Sequence, residues 1–203
     1  MEYAMKKIFC LLTALLMLAG YACAESTAPA DLLTDSVLEG KVVIEGVFYQ
    51  MPFPVQQLLD NGWALDRTDL ELEPGFHAGA PLYKDNLTCY VRAVNEYSVP
   101  KKFSECFVGA MEFGPGTNGN NGHDLIDVQF TKQISIHTSL KDVEKILGEP
   151  SSTAGGYPIW RGGNAKYSNP GHSFAAVFEK KLFSSELKYF SIEYMPADFV
   201  PAE

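Results

Sequence analysis

His123 and Asp124, with Asp127 close by, are the residues whose types come nearest to a reactive cluster. An imidazole beside carboxylates can ligate a metal or move a proton. They sit, however, at the end of GPGTNGNNGHD (114–124), where Gly and Asn favour turns and positive φ, and a single His among turn residues is more often a solvated loop residue. The same loop lacks the alternating Asp ligands and terminal Glu of a calcium loop. His77 and His172 also lie in turn-rich segments without a sequence-adjacent partner. There is no G-x-S-x-G elbow, no H-E-x-x-H helix and no phosphate loop. No cofactor or metal is implied. Asn86-Leu87-Thr88 is a glycosylation sequon, relevant only in a eukaryotic host.

The N-terminus bears on compartment. Lys6 and Lys7 precede an apolar run, and Ala22-Cys23-Ala24 has the small-x-small form of a cleavage site, so residues 1–24 read as a signal peptide cut after Ala24. The run is short for a bilayer span, and no transmembrane segment is expected in the mature chain. Lipid attachment at Cys23 is the lesser alternative, because Gly20 stands where an aliphatic residue is usual and Leu18 is too far upstream. The expected location is extracellular or in the cell envelope. The whole chain carries a net charge of −9, and cleavage makes it one unit more negative, which disfavours nucleic acid and anionic lipid as partners.

Cys89 and Cys106 remain after cleavage, in a compartment where disulfides persist, and neither belongs to a Cys-x-x-Cys pair. In a simple hairpin centred near residue 97 or 98 they come opposite each other, which favours a cross-strand disulfide over two buried thiols.

The positioning elements follow from periodicity. Residues 25–38 read as a polar tether. VVIEGVFYQ reads as a strand, Pro52-Phe53-Pro54 leads to a short helix with Val55, Leu58 and Leu59 on one face, and ELEPGFHAGAP reads as a loop. Residues 87–95 and 105–113 read as a hairpin of two strands. After the Gly/Asn-rich linker at 114–126 a similar order recurs, and Val143, Ile146 and Leu147 follow Val55, Leu58 and Leu59 at a constant offset. The expected fold is therefore α+β: two degenerate repeats, 39–113 and 127–203, each a short helix packed on a small antiparallel sheet.

The stretch TSLKDVEKILGEP shows this best. Thr138 and Ser139 are N-cap types, Asp142 can reach back to the first amides, and Leu140, Val143, Ile146 and Leu147 form one stripe. Gly148 suits the helix end and Pro150 stops it. Glu144 and Asp142 are thereby explained as a solvated face, without chemistry. Thr138, Val143, Ile146, Leu147, Gly148 and Pro150, with Trp160 beyond, resemble the T-x4-V-x2-hydrophobic-L-G-x-P…W pattern of the small outer-membrane assembly lipoprotein family and of the tandem-repeat β-lactamase inhibitor protein family. The whole mature chain also resembles two-unit secreted or lipid-anchored proteins of Gram-positive gut bacteria. The resemblance implies helices on one face of a small antiparallel sheet, and inhibition of a secreted enzyme only by analogy of fold.

Strand parity supplies the functional expectation. If Leu87, Cys89 and Val91 face the helix, then Tyr90, Arg92, Phe107, Met111 and Phe113 point away from it and offer an aromatic, Arg-bearing surface. Phe190, Ile192 and Tyr194 do the same in the second half. These residues favour a non-enzymatic binding module for a protein or cell-wall partner. The alternative is an envelope hydrolase or metal-dependent enzyme using His123, Asp124 or Asp127.

Overall fold

The computed structural model describes residues 28–114, 126–154, 157–163, 172–180 and 185–201. The described residues open on two 3₁₀ turns, Pro29–Leu32 and Val37–Glu39. The strands and helices that follow are β1 (Lys41–Ile44), β2 (Val47–Gln50), β3 (Phe53–Pro54), α1 (Gln56–Asp60), β4 (Ala64–Leu65), β5 (Glu71–Leu72), β6 (His77–Lys84), β7 (Leu87–Val94), β8 (Lys101–Lys102) and β9 (Phe107–Phe113). Then come β10 (Val128–Gln129), α2 (Leu140–Leu147), β11 (Ser152–Ala154), β12 (Tyr157–Gly162), β13 (His172–Lys180) and β14 (Ser185–Glu193).

The expectation of two separate helix-on-sheet units is overturned. One nine-stranded antiparallel sheet runs β11-β12-β13-β14-β9-β7-β6-β4, with β3 also on β9. The two halves of the chain meet inside it, because β14 pairs directly with β9: Phe190 lies opposite Phe113 and Ile192 opposite Met111. Those four side chains are fully buried, so the pairing extends two adjacent apolar rows across both halves. The helices are minor. α1 buries Leu58 and α2 buries Val143, too little to cover a sheet of this width.

The covering layer is instead a second sheet, β10-β1-β2, which contributes Val42, Ile44, Tyr49 and Val128 to the same core cluster. Phe130, just after β10, joins the layers. Its ring lies 5.8, 5.2 and 5.3 Å from those of Phe113, Phe174 and Phe190. The 28–38 stretch, expected to be a tether, also packs: Leu33 and Val37 are buried, and Leu38 reaches the core cluster.

Local physics accounts for the elements. Glu45 and Gly46 both adopt positive φ, 49° and 74°, which splits VVIEGVFYQ into the β1–β2 hairpin through a tight two-residue turn. In α2 the Ser139 hydroxyl accepts from the Asp142 N–H at 3.2 Å and donates to the Asp142 carboxylate at 2.6 Å, and Gly148 ends the helix at φ 75°. Among the described residues no helix is long and apolar enough to cross a membrane.

Candidate functional site

The core cluster occupies one face of the large sheet, and the other face carries the candidate site. Register defines its rows. Ile159, Ala175, Ser191, Glu112, Tyr90 and Pro81 lie side by side across six strands, and next to them run Arg161, Ser173, Glu193, Ala110, Arg92 and Gly79. Most of these residues are half-exposed. Small side chains keep the middle of the face low, while Tyr90, Tyr189 and the 40 % exposed Tyr157 stand above it. Tyr90 lies directly over Gly79, where an added Cβ would collide with its ring and hydroxyl.

This arrangement corrects part of the expected surface. Tyr90 and Arg92 are on the open face. Met111 and Phe113 are on the core face and fully buried. The cause is a β-bulge: Ala93 pairs with Val108 but Arg92 with Ala110, leaving Gly109 as the extra residue and reversing the alternation along β9. Phe107 does point outward, but with Val94 and Met195 it is buried under Tyr97 and Phe199 at one end of the face. Phe190 and Ile192 likewise belong to the core.

Several residues of the face carry no local sequence signal. Arg92 Nη1 lies 3.8 Å from Glu193 Oε1, and the Ser173 hydroxyl donates to Glu193 Oε2 at 3.4 Å. Glu112 sits between Ser191 and Tyr90, and partial burial raises its pKa despite the opposing charge of Arg92. Burial, and then the Glu112 charge, raise that of Tyr189. These contacts depend on the β7–β9–β14 pairing, which no motif announces.

The cysteines are also placed differently. Cys89 and Cys106 are free, buried thiols. In the observed register Tyr90 faces Glu112 and Val94 faces Phe107, so the two cysteines flank opposite ends of the β7–β9 ladder, roughly 20 Å apart and far outside disulfide reach. The connection containing β8 and the 3₁₀ turn Phe103–Glu105 offsets the hairpin from its assumed centre.

Burial pushes the Cys106 thiol up to about 11 and the Tyr49 phenol up to about 12, and raises Cys89 further still. Each group stays protonated in the folded chain at pH values where it ionises in the unfolded one. Folding stability is therefore expected to hold to about pH 9 and to fall steadily above it. Urea midpoints measured from pH 7 to 11 check this, and a flat profile would contradict it.

His123 and Asp124 lie outside the described residues. Asp127 is exposed; its backbone N–H donates to Glu45 Oε1 at 2.7 Å. Among the described residues no three His, Cys, Asp or Glu side chains gather to hold a metal.

Comparison of the chain with protein-family models, with curated proteins and with solved structures finds no match.

Proposed function

We propose that the protein is a non-enzymatic binding module, exported to the envelope or beyond, whose recognition surface for a protein partner is the open face of the nine-stranded sheet. The observation that carries this reading is the composition of that face. Tyr90, Tyr189, Tyr157 and Ile159 supply rigid apolar area, and Arg92, Arg161, Glu193 and Glu112 supply mixed charge, all on strands held in register by the core beneath. Tyr and Arg are the side chains enriched at the energetic centres of interfaces. Rigid strands also lower the entropy lost on docking.

The test is quantitative capture of an envelope-fraction partner on the immobilised mature chain. The double variant Tyr90→Ser/Arg92→Ser is expected to weaken that binding at least about tenfold, as loss of two interface anchors should. Glu144→Gln, on the exposed side of α2, should leave it unchanged. Equal retention by the double variant, with its thermal midpoint preserved, would remove the sheet face as the recognition surface.

A further inference from the structure

The β9 bulge does more than reverse parity, because it leaves a pocket of about 110 Å³ at the end of the open face. Gly109 and Ala110 form its floor, so nothing larger than a methyl group rises from below. The Tyr194 N–H donates to the Gly109 carbonyl at 2.9 Å, which draws the segment leaving β14 across the bulge and sets Met195 against Val94 as an apolar wall. Arg92 from β7, Glu193 from β14 and His77 from the start of β6, opposite Val94, complete the lining.

The relation between these two charges restricts the ligand. Their separation of 3.8 Å is beyond hydrogen-bond distance, and both side chains keep contact with solvent, 43 % and 22 % exposed. A lone anion arriving at Arg92 would be repelled by Glu193, and a lone cation at Glu193 would be repelled by Arg92. A small zwitterion meets neither penalty. Its carboxylate accepts from the guanidinium and its ammonium donates to Glu193, so the four charges alternate in sign and the existing attraction survives. Size narrows the choice further. The volume corresponds to roughly four water molecules, enough for an amino-acid head group with a short side chain but not for a sugar or a nucleotide. The Val94 and Met195 wall suits an aliphatic substituent.

We infer that this pocket binds a free α-amino acid with a small aliphatic side chain. The pocket opens onto the face proposed for the protein partner and shares Arg92 and Glu193 with it, but the inference stands without that partner, since the ligand is small and tested alone.

The experiment is a titration of the full mature chain, followed by NMR chemical shifts, with L-alanine and glycine, with acetate and methylamine as one-charge analogues, and with L-tryptophan as the oversized case. Saturable binding of L-alanine is expected with a Kd on the order of 1 mM, as suits charges open to solvent. Tryptophan and the one-charge analogues should bind at least about tenfold more weakly, and Arg92→Gln and Glu193→Gln should each lose saturation while keeping the spectrum of the folded chain. Absence of saturation for both amino acids up to about 50 mM, equal binding of acetate or methylamine, or unchanged binding in either variant would overturn the inference. Because no partner protein is present in the titration, retained capture by the Tyr90→Ser/Arg92→Ser chain, which would remove the partner surface, and failure of this titration are read separately.

Discussion

Phe130→Ala is expected to lower unfolding stability by about 4 kcal/mol, within the range for removing a fully buried Phe. Phe130 is completely buried and its ring meets three aromatic rings of the large sheet, Phe113, Phe174 and Phe190. Two of the contacts are near edge-on, at interplanar angles of 64° and 68°, an arrangement aromatic rings favour beyond simple burial. Relaxation cannot readily fill the space. Phe130 is pinned by its N–H to the Ile134 carbonyl at 2.8 Å, and the neighbouring Thr131 hydroxyl accepts from the Ile134 N–H at 3.0 Å. Phe130→Leu should cost less, since it keeps much of the volume. Phe76, which is 65 % exposed, gives the control: its change to Ala should lie within about 0.5 kcal/mol of no effect. Urea unfolding with an unchanged m-value checks the series. A loss under about 1 kcal/mol for Phe130→Ala would mean that the two sheets are not joined through this ring.

The sequence made some elements legible and concealed others for identifiable reasons. Helix α2 was readable because start, stripe and stop are all local: Ser139, Val143 and Gly148 do in the structure what their types suggest. The strands around Cys89, Val108, Phe174 and Phe190 were also apparent from apolar content. Strand β6 was not, because Gly79 and Pro81 look like loop residues. Gly79 is needed to admit the Tyr90 ring, and Pro81 lies beyond the short β4 pairing at Tyr83 and Leu82, where no ladder bond is lost on that side.

The site was half visible. Tyr90 and Arg92 could be placed by alternation along one strand, but Met111 and Phe113 could not, since one extra residue at Gly109 turns the remainder of β9 over. Glu193 and Ser173 became part of the site only through β14 and β13, far away in sequence. The same long-range pairing defeated the two-unit expectation. Each half ends in a strand whose apolar parity is as well satisfied by the other half's strand as by a separate small core, and the shared rows Phe113–Phe190 and Met111–Ile192 bury more surface than two exposed edges would.

That joining predicts a large effect at a position that would be harmless in a flexible linker. Gly114 follows β9 with φ 151°, a conformation other residues rarely take. A Cβ there would collide with the Lys188 carbonyl oxygen and come within 2.6 Å of the Tyr189 Cα, both backbone atoms of β14. Backbone in a paired strand cannot swing aside as a side-chain tip can, so Gly114→Ala must either strain this end of the β9–β14 ladder or break it. The expected cost is about 3 kcal/mol, combining backbone strain with displaced packing. Hydrogen exchange distinguishes the site of damage: protection should fall first at amides of Phe190 and Phe113, and less in β1 and β2. If Gly114→Ala leaves both stability and exchange unchanged, the two halves of the chain are not continuous through this seam. If it destabilises the chain but opens β1 and β2 before β14, the strain is carried somewhere other than the β9–β14 pair.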